Sequence, residues 1–465
     1  MTESRFVSPD TLRARFSAAM SAMYRTEVPA YGSLIKLVET VNAQTLAADP
    51  GLAGRLEATD SLNRISEERH GAIRLGTPGE LCMMRRVFAV MGMYPVGYYD
   101  LSEGGVPVHS TAFRPVGEAH LNRNPFRVFT SLLRHDLIAD NDLRAEVADI
   151  LSKRDIFTPA ARALVEKAER DGGLLGTDSV SFVTEVLETF RWHDKAVVDA
   201  AMYARLHAAH RLIADIVSFR GPHINHLTPR TLDIDTVQER MFEEGITPKA
   251  VVEGPPSRLC PILLRQTSFK ALDEQVAFIG KDGGWESGSH TARFGEIEQR
   301  GVALTPQGRT LYDALLARAR AISRPAPDGS NAAAYRDALA RAFTEFPDDW
   351  DAIRRAGLGY FTYSMTGKGL RAEAAGMDLE TAIEHGLIRF DPIIYEDFLP
   401  VSAAGIFLSN LGEHDTEELE AGPNQQLFEA DLGAPVLDEF AHYAAMEKAS
   451  IQNCMQALQT AEAAE

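Results

Sequence analysis

Cysteine is scarce in this chain. The three that occur, Cys82, Cys260 and Cys454, are far apart and form no CxxC pair. An odd count at such spacing excludes a disulfide framework and a thiolate zinc site, and it fits a reducing compartment. Long apolar runs are also missing, since no stretch approaches the ~18 uninterrupted apolar residues of a membrane span. The opening residues MTESRFVSPD lack a basic segment followed by an apolar one. No export signal is therefore expected, and the expected location is cytoplasmic. Basic charge is in deficit, with a formal net charge of −19 at pH 7. Such a surface repels phosphate backbones and anionic lipid, so neither nucleic acid nor membrane is expected as a partner. An anionic substrate would need a cation placed locally, which draws attention to any arginine beside a candidate site. The chain has no GxxxxGK[ST] phosphate loop and no GxSxG elbow. His207 and His210 have no HExxH around them and read as a solvated helix face.

What remains is the composition of an ordinary globular protein, 45% hydrophobic and 24% charged over 465 residues. That length suggests two or three structural parts. Residues 8–46 read as mainly helical, with Leu12, Phe16, Met20 and Met23 at spacings of three and four on one face. Residues 69–75 read as a strand. Thr77-Pro78-Gly79-Glu80 then has the features of a helix start, with Thr as N-cap, Pro in the first turn and Glu three residues after the cap. The helix ends near Gly92, and extended pieces follow at residues 94–101 and 106–116. Residues 1–124 thus hold N-terminal helices and a strand–helix–strand–strand module. Residues 125–220, rich in Ala, Leu, Glu and Arg, are expected to form a helical insertion. A second strand–helix–strands pattern occupies 221–305. It begins with GPHINHLTP and ends in one long strand, HTARFGEIEQRGVAL. Residues 306–465 are expected to be mainly helical, interrupted by the extended stretch at 390–411.

Three places could carry chemistry. His70 and Arg74, four apart in a strand, face the same side roughly 13 Å apart at the backbone. They suit a metal ligand and an anion holder, or else a sheet-edge histidine beside an ordinary surface arginine. His226 opens the second half as His70 opens the first, and His223, three residues earlier, faces the opposite side if the segment is a strand. A loop histidine with a backbone partner is the plain alternative. In the last strand Glu296 and Glu298 share a face with Phe294, and His290 and Ala292 continue it. A buried carboxylate needs a partner, which a metal would supply, whereas a solvated strand face needs none. Two histidines and one carboxylate form the set that binds iron(II) on one triangular face. Zinc or manganese can occupy similar ligands, so the residues alone do not select the metal.

Taken together, RHGAIRLGTPGEL, GPHINHLTPR, HTARFGEIEQRGVALTPQGR and YEDFLPVSAAGIF resemble the 2-oxoadipate dioxygenase/decarboxylase family, in the same order and over essentially the whole chain. The resemblance implies an α+β fold similar to the vicinal-oxygen-chelate proteins, with paired βαβββ modules in a partly closed barrel and helices added outside. It implies iron(II), Fe(2+), as cofactor, with His70, His226 and Glu296 as ligands and Glu298 as the substitute should the register slip by one strand repeat. Arg74 matches the family's substrate arginine, and Val401-Ser402 its backbone contacts to substrate, within a segment near 395–410. The implied reaction converts 2-oxoadipate and O2 to 2-hydroxyglutarate and CO2, a step of lysine degradation. A zinc- or nickel-dependent isomerase or lyase on the same fold is the alternative enzyme. A non-catalytic metabolite-binding module is the alternative outside enzymes.

Overall fold

The computed structural model describes residues 6–58, 62–102, 104–326, 328–369, 376–399 and 424–460. The chain mixes helix and sheet and divides into two compact units. The first comprises Met1–Lys249, Thr267–Glu298 and Phe398–Leu437; the second comprises Ala250–Gln266, Gln299–Asp397 and Asp438–Glu465.

In the first unit the N-terminal helices run Pro9–Glu27 and Pro29–Ala48. Ser8 caps the first by accepting from the Thr11 amide, and Leu12, Phe16, Met20 and Met23 are buried on one face, as their spacing predicts. The strand β1 (Arg69–Leu75) leads to the helix Pro78–Val90, where Thr77 and Glu80 form the reciprocal capping box read from the sequence. Two strands follow, β2 (Tyr94–Asp100) and β3 (Val108–Arg114).

The expected helical insertion at 125–220 is overturned at its start. Arg127–Leu133 is a strand, β4, lying parallel to β1. All seven of its residues are buried. Burial on both faces removes the alternation that marks a half-exposed strand, and RVFTSLL therefore read as a helix face. A second strand, β5 (Lys195–Asp199), precedes the helix Ala200–Ala209, which Asp199 caps. Helices fill much of the rest of the span, including Asn141–Ser152, Pro159–Asp171, Gly176–Leu187 and Arg211–Ser218.

The short strand β6 (Leu227–Pro229) pairs antiparallel with β1 and completes a five-stranded sheet of order β2-β3-β4-β1-β6. After the helix Ile234–Met241 come β7 (Leu264–Ser268), β8 (Asp273–Ile279), β9 (Trp285–Thr291) and β10 (Glu296–Arg300). The single long strand expected at 290–304 is therefore two strands in two sheets. β9 joins β5 and β8, whereas β10 pairs with β7. The break falls at Gly295, where a Cβ would stand 2.0 Å from Phe269 Cε1. His290 consequently does not share a face with Glu296.

The second unit contains the helices Pro306–Ile322, Ala332–Ala342 and Trp350–Arg355. It also has an antiparallel pair of β11 (Phe361–Met365) and β12 (Ile388–Pro392), against which the long helix Glu439–Thr460 packs. The helical expectation for 306–465 missed β11 and found part of β12. No helix among the described residues is long and apolar enough to cross a membrane.

Candidate metal centre

Strand register in the first unit brings the candidate residues together. His70 on β1 pairs with Arg127 on β4 at one side and with Thr228 on β6 at the other. A parallel bridge joins Arg230, just after β6, to Glu298 on β10. Two residues back along each strand, Thr228 Oγ1 donates to Glu296 Oε1 at 3.0 Å. Thr228, the register partner of His70, points the same way as His70, and His226 lies just before β6 and not within a strand as the sequence suggested. Gly71 permits the approach, because a Cβ there would lie 2.5 Å from Ile224 Cδ1 and 2.9 Å from the His226 carbonyl oxygen.

One ligand atom each from His70, His226 and Glu296 lie within 4.8 Å of one another, and all three residues are buried. His70 Nε2 is 3.0 Å from Glu296 Oε1, and His70 Nδ1 is 3.1 Å from Glu298 Oε2. His226 differs: among the described residues neither ring nitrogen has a hydrogen-bond partner. Its Nε2 stands 3.9 Å from Glu296 Oε1, beyond hydrogen-bond reach. A buried imidazole with two unused nitrogens is costly unless something else binds it, and the neighbouring imidazole and carboxylate form a donor set suited to a divalent metal. The residues therefore fit the cofactor that the resemblance implies. Burial pushes the His226 imidazole down to about 4, with Glu296 opposing, so it is neutral as a ligand must be. At His70 burial also disfavours the cation, but Glu298 and Glu296 outweigh it and raise the pKa.

Around this group runs a buried ionic network that motif reading did not find. Glu298 lies 3.6 Å from Arg127, which is itself paired with Glu68. Glu68 also meets Arg230 at 3.0 Å and Arg64 at 3.4 Å. Phe398 sets its ring edge-on to His70 with centroids 4.9 Å apart, and Phe294 stacks at a tilt on His226 at 4.8 Å. Tyr24 Oη, from the first helix, lies within donating distance of the carbonyls of both Asn225 and Phe294. A strand-type run of Val, Phe and Thr at 128–130 was the available signal for Arg127; for Tyr24 and Glu68 there was none.

Arg74 is buried and already has a carboxylate: its Nη1 donates to Asp215 Oδ2 at 2.6 Å. The other oxygen, Oδ1, faces His290 Nε2 at 2.9 Å and His223 Nε2 at 3.4 Å. Burial acts to raise the Asp215 carboxyl, but His223 and Arg74 outweigh it and hold it well below the ordinary carboxylate range. His223 and His290, both singled out in the sequence, thus gather at Asp215 and not with His226. Val401 and Ser402 lie outside the described residues.

Comparisons with known proteins bear on this arrangement. A family described as 2-oxoadipate dioxygenase/decarboxylase matches residues 16–410. A protein of Pseudomonas putida named 2-oxoadipate dioxygenase/decarboxylase is 56% identical over 461 residues, covering 98% of this chain and 99% of its own. One of the same name from Escherichia coli is 54% identical over 451 residues, covering 96% and 98%. The crystal structure of the Pseudomonas putida hydroxyglutarate synthase in complex with 2-oxoadipate superposes with a TM-score of 0.91 at 56% identity, covering 98% of this chain and 100% of that one. With agreement over nearly its whole length, the chain belongs to the 2-oxoadipate dioxygenase/decarboxylase family.

Proposed function

We propose that the chain is an iron(II)-dependent enzyme that takes 2-oxoadipate and O2 to 2-hydroxyglutarate and CO2, with His70, His226 and Glu296 as the iron ligands. The observation that carries the ligand assignment is the convergence of these three buried side chains within 4.8 Å, one of them an imidazole with no hydrogen-bond partner among the described residues. Iron(II) held there would supply the meeting point for the 2-oxo acid and O2 and a redox centre through which electrons pass from the acid to oxygen. The chain's residues do the rest. Thr228 donates to Glu296 Oε1 and limits its rotation. Glu298, 3.1 Å from His70 Nδ1, holds that ring with Nε2 turned toward the centre, the usual arrangement of a carboxylate behind a ligating histidine. This supports Glu296 over Glu298 as the ligand. Phe398 and Phe294 form apolar walls that exclude water.

Arg74 receives the carboxylate at the far end of the substrate, the local cation that an acidic chain requires. Val401 and Ser402 contribute backbone contacts to the substrate. The six-carbon acid loses its first carboxyl carbon as CO2, and both atoms of O2 enter the five-carbon product. We read the β1–β6–β10 junction as the seam between two βαβββ-like modules of the vicinal-oxygen-chelate kind. Its support is the register that brings one ligand from each of these three regions.

The test is anaerobic reconstitution with iron(II), addition of 2-oxoadipate and then air, with product analysis by mass. The expected result is 2-hydroxyglutarate with one CO2 per O2 consumed. Conversion of 2-oxoadipate to a different product without oxygen uptake, supported by zinc or nickel in place of iron, would overturn it in favour of a lyase or isomerase.

A further inference from the structure

Arg74 is held from behind by an assembly that the proposed chemistry does not use. Asp215, on the helix Arg211–Ser218, meets Arg74 with one carboxylate oxygen and His290 and His223 with the other. His290 is fixed in turn, with Nδ1 2.8 Å from Tyr203 Oη on the helix Ala200–Ala209. Trp192 stacks on the His290 ring at an interplanar angle of 9° and meets the His223 ring edge-on at 4.7 Å. One oxygen of the buried carboxylate is thus tied to Arg74 and the other to two rings that are themselves braced. Such a carboxylate restrains where the guanidinium can point, because it holds one of the five N–H donors of arginine's rigid fork. It also reduces the cost of burying that cation.

We propose that Asp215 is a positioning residue for substrate selection, aiming the Arg74 guanidinium so that the enzyme prefers 2-oxo acids with a second carboxylate at the far end. This rests on the reading of Arg74 given under Proposed function. Asp215 acts through Arg74 and does not touch the reacting atoms. Its loss lowers the preference for dicarboxylic over monocarboxylic substrates without emptying the metal centre.

The experiment compares kcat and KM for 2-oxoadipate and for 2-oxohexanoate, which has the same six carbons and no distal carboxylate, with iron content measured on each sample. In Arg74→Ala the preference for 2-oxoadipate collapses. In Asp215→Asn it falls between about 10- and 100-fold, the range of a hydrogen bond to a charged partner. The fall lies mainly in KM for 2-oxoadipate, while iron content and turnover of 2-oxohexanoate stay within about twofold of wild type. An Asp215→Asn enzyme that keeps the wild-type preference while Arg74→Ala loses it overturns the role of Asp215 alone. Retention of the preference in Arg74→Ala overturns the reading of Arg74 itself. Parallel loss of both activities and of iron in Asp215→Asn marks a structural role and also overturns the proposal. If Asp215→Asn does not fold, His290→Gln decides: a smaller fall in preference supports the positioning role, and an unchanged preference in a folded variant sinks it.

Discussion

Replacing Glu298 by Gln tests the division of labour between the two glutamates of β10. Glu298 Oε2 lies 3.1 Å from His70 Nδ1, and both side chains are fully buried. Glutamine keeps the length and an acceptor oxygen, so the ring can remain in place, but the negative charge that raises the basicity of His70 is gone. Loss of such an outer partner typically costs about 10- to 100-fold in metal affinity, or roughly 1.4–2.7 kcal/mol. Glu296→Gln, by contrast, removes one of three donors and is expected to leave no stoichiometric iron after desalting. Anaerobic titration with iron(II) against a chromophoric chelator measures both. Glu298→Gln should bind one iron per chain with weakened affinity and retain measurable turnover. A Glu298→Gln protein as empty as Glu296→Gln would show that the carboxylate roles had been exchanged. Iron retained at wild-type affinity in Glu296→Gln would refute the ligand set altogether.

Three further outcomes are expected. Gly71→Ala forces a methyl group to within 2.9 Å of the His226 carbonyl oxygen, so the His226 segment must move; a stability loss of about 1–3 kcal/mol should accompany a larger fall in turnover, read by denaturant melts and initial rates. Glu68→Gln leaves the buried arginines 64, 127 and 230 short of one negative charge. It should destabilise the fold by about 3–5 kcal/mol, measured by urea unfolding, and a change below 1 kcal/mol would refute the importance of the network. Metal should stabilise the wild-type protein by about 2.7 kcal/mol at a hundredfold excess over Kd and should stabilise His226→Ala far less. Thermal melts with and without a chelator check this.

The candidate ligands were legible because each sits in a short recognisable motif and because strand periodicity indicates the face. Strand periodicity put Glu296 and Glu298 on one face and left the choice between them open; the family resemblance is what implied His70, His226 and Glu296. Other parts were hidden for identifiable reasons. β4 is buried on both sides, so its residues show no alternation, and Arg127 was lost within a span that read as helical. The break at Gly295 comes from the close approach of Phe269, a contact remote along the chain that local pattern cannot register. His290 was consequently grouped with Glu296, although its partner is Asp215 on a helix. Asp215 itself stood in an apolar helical run and carried no motif. Ion-pair networks such as Glu68 with its arginines are assembled by tertiary packing, which spacing in the sequence does not encode.

The hydroxyl of Tyr24 reaches backbone 201 residues away at Asn225 and 270 residues away at Phe294. It acts as a clasp on the N-terminal flanks of His226 and Glu296, and it is carried by the helix Pro9–Glu27. The clasp therefore closes only after the chain has been made past Phe294 and has folded back on that helix. A variant lacking the helix Pro9–Glu27 would carry all three proposed ligands and still lack the clasp beside two of them.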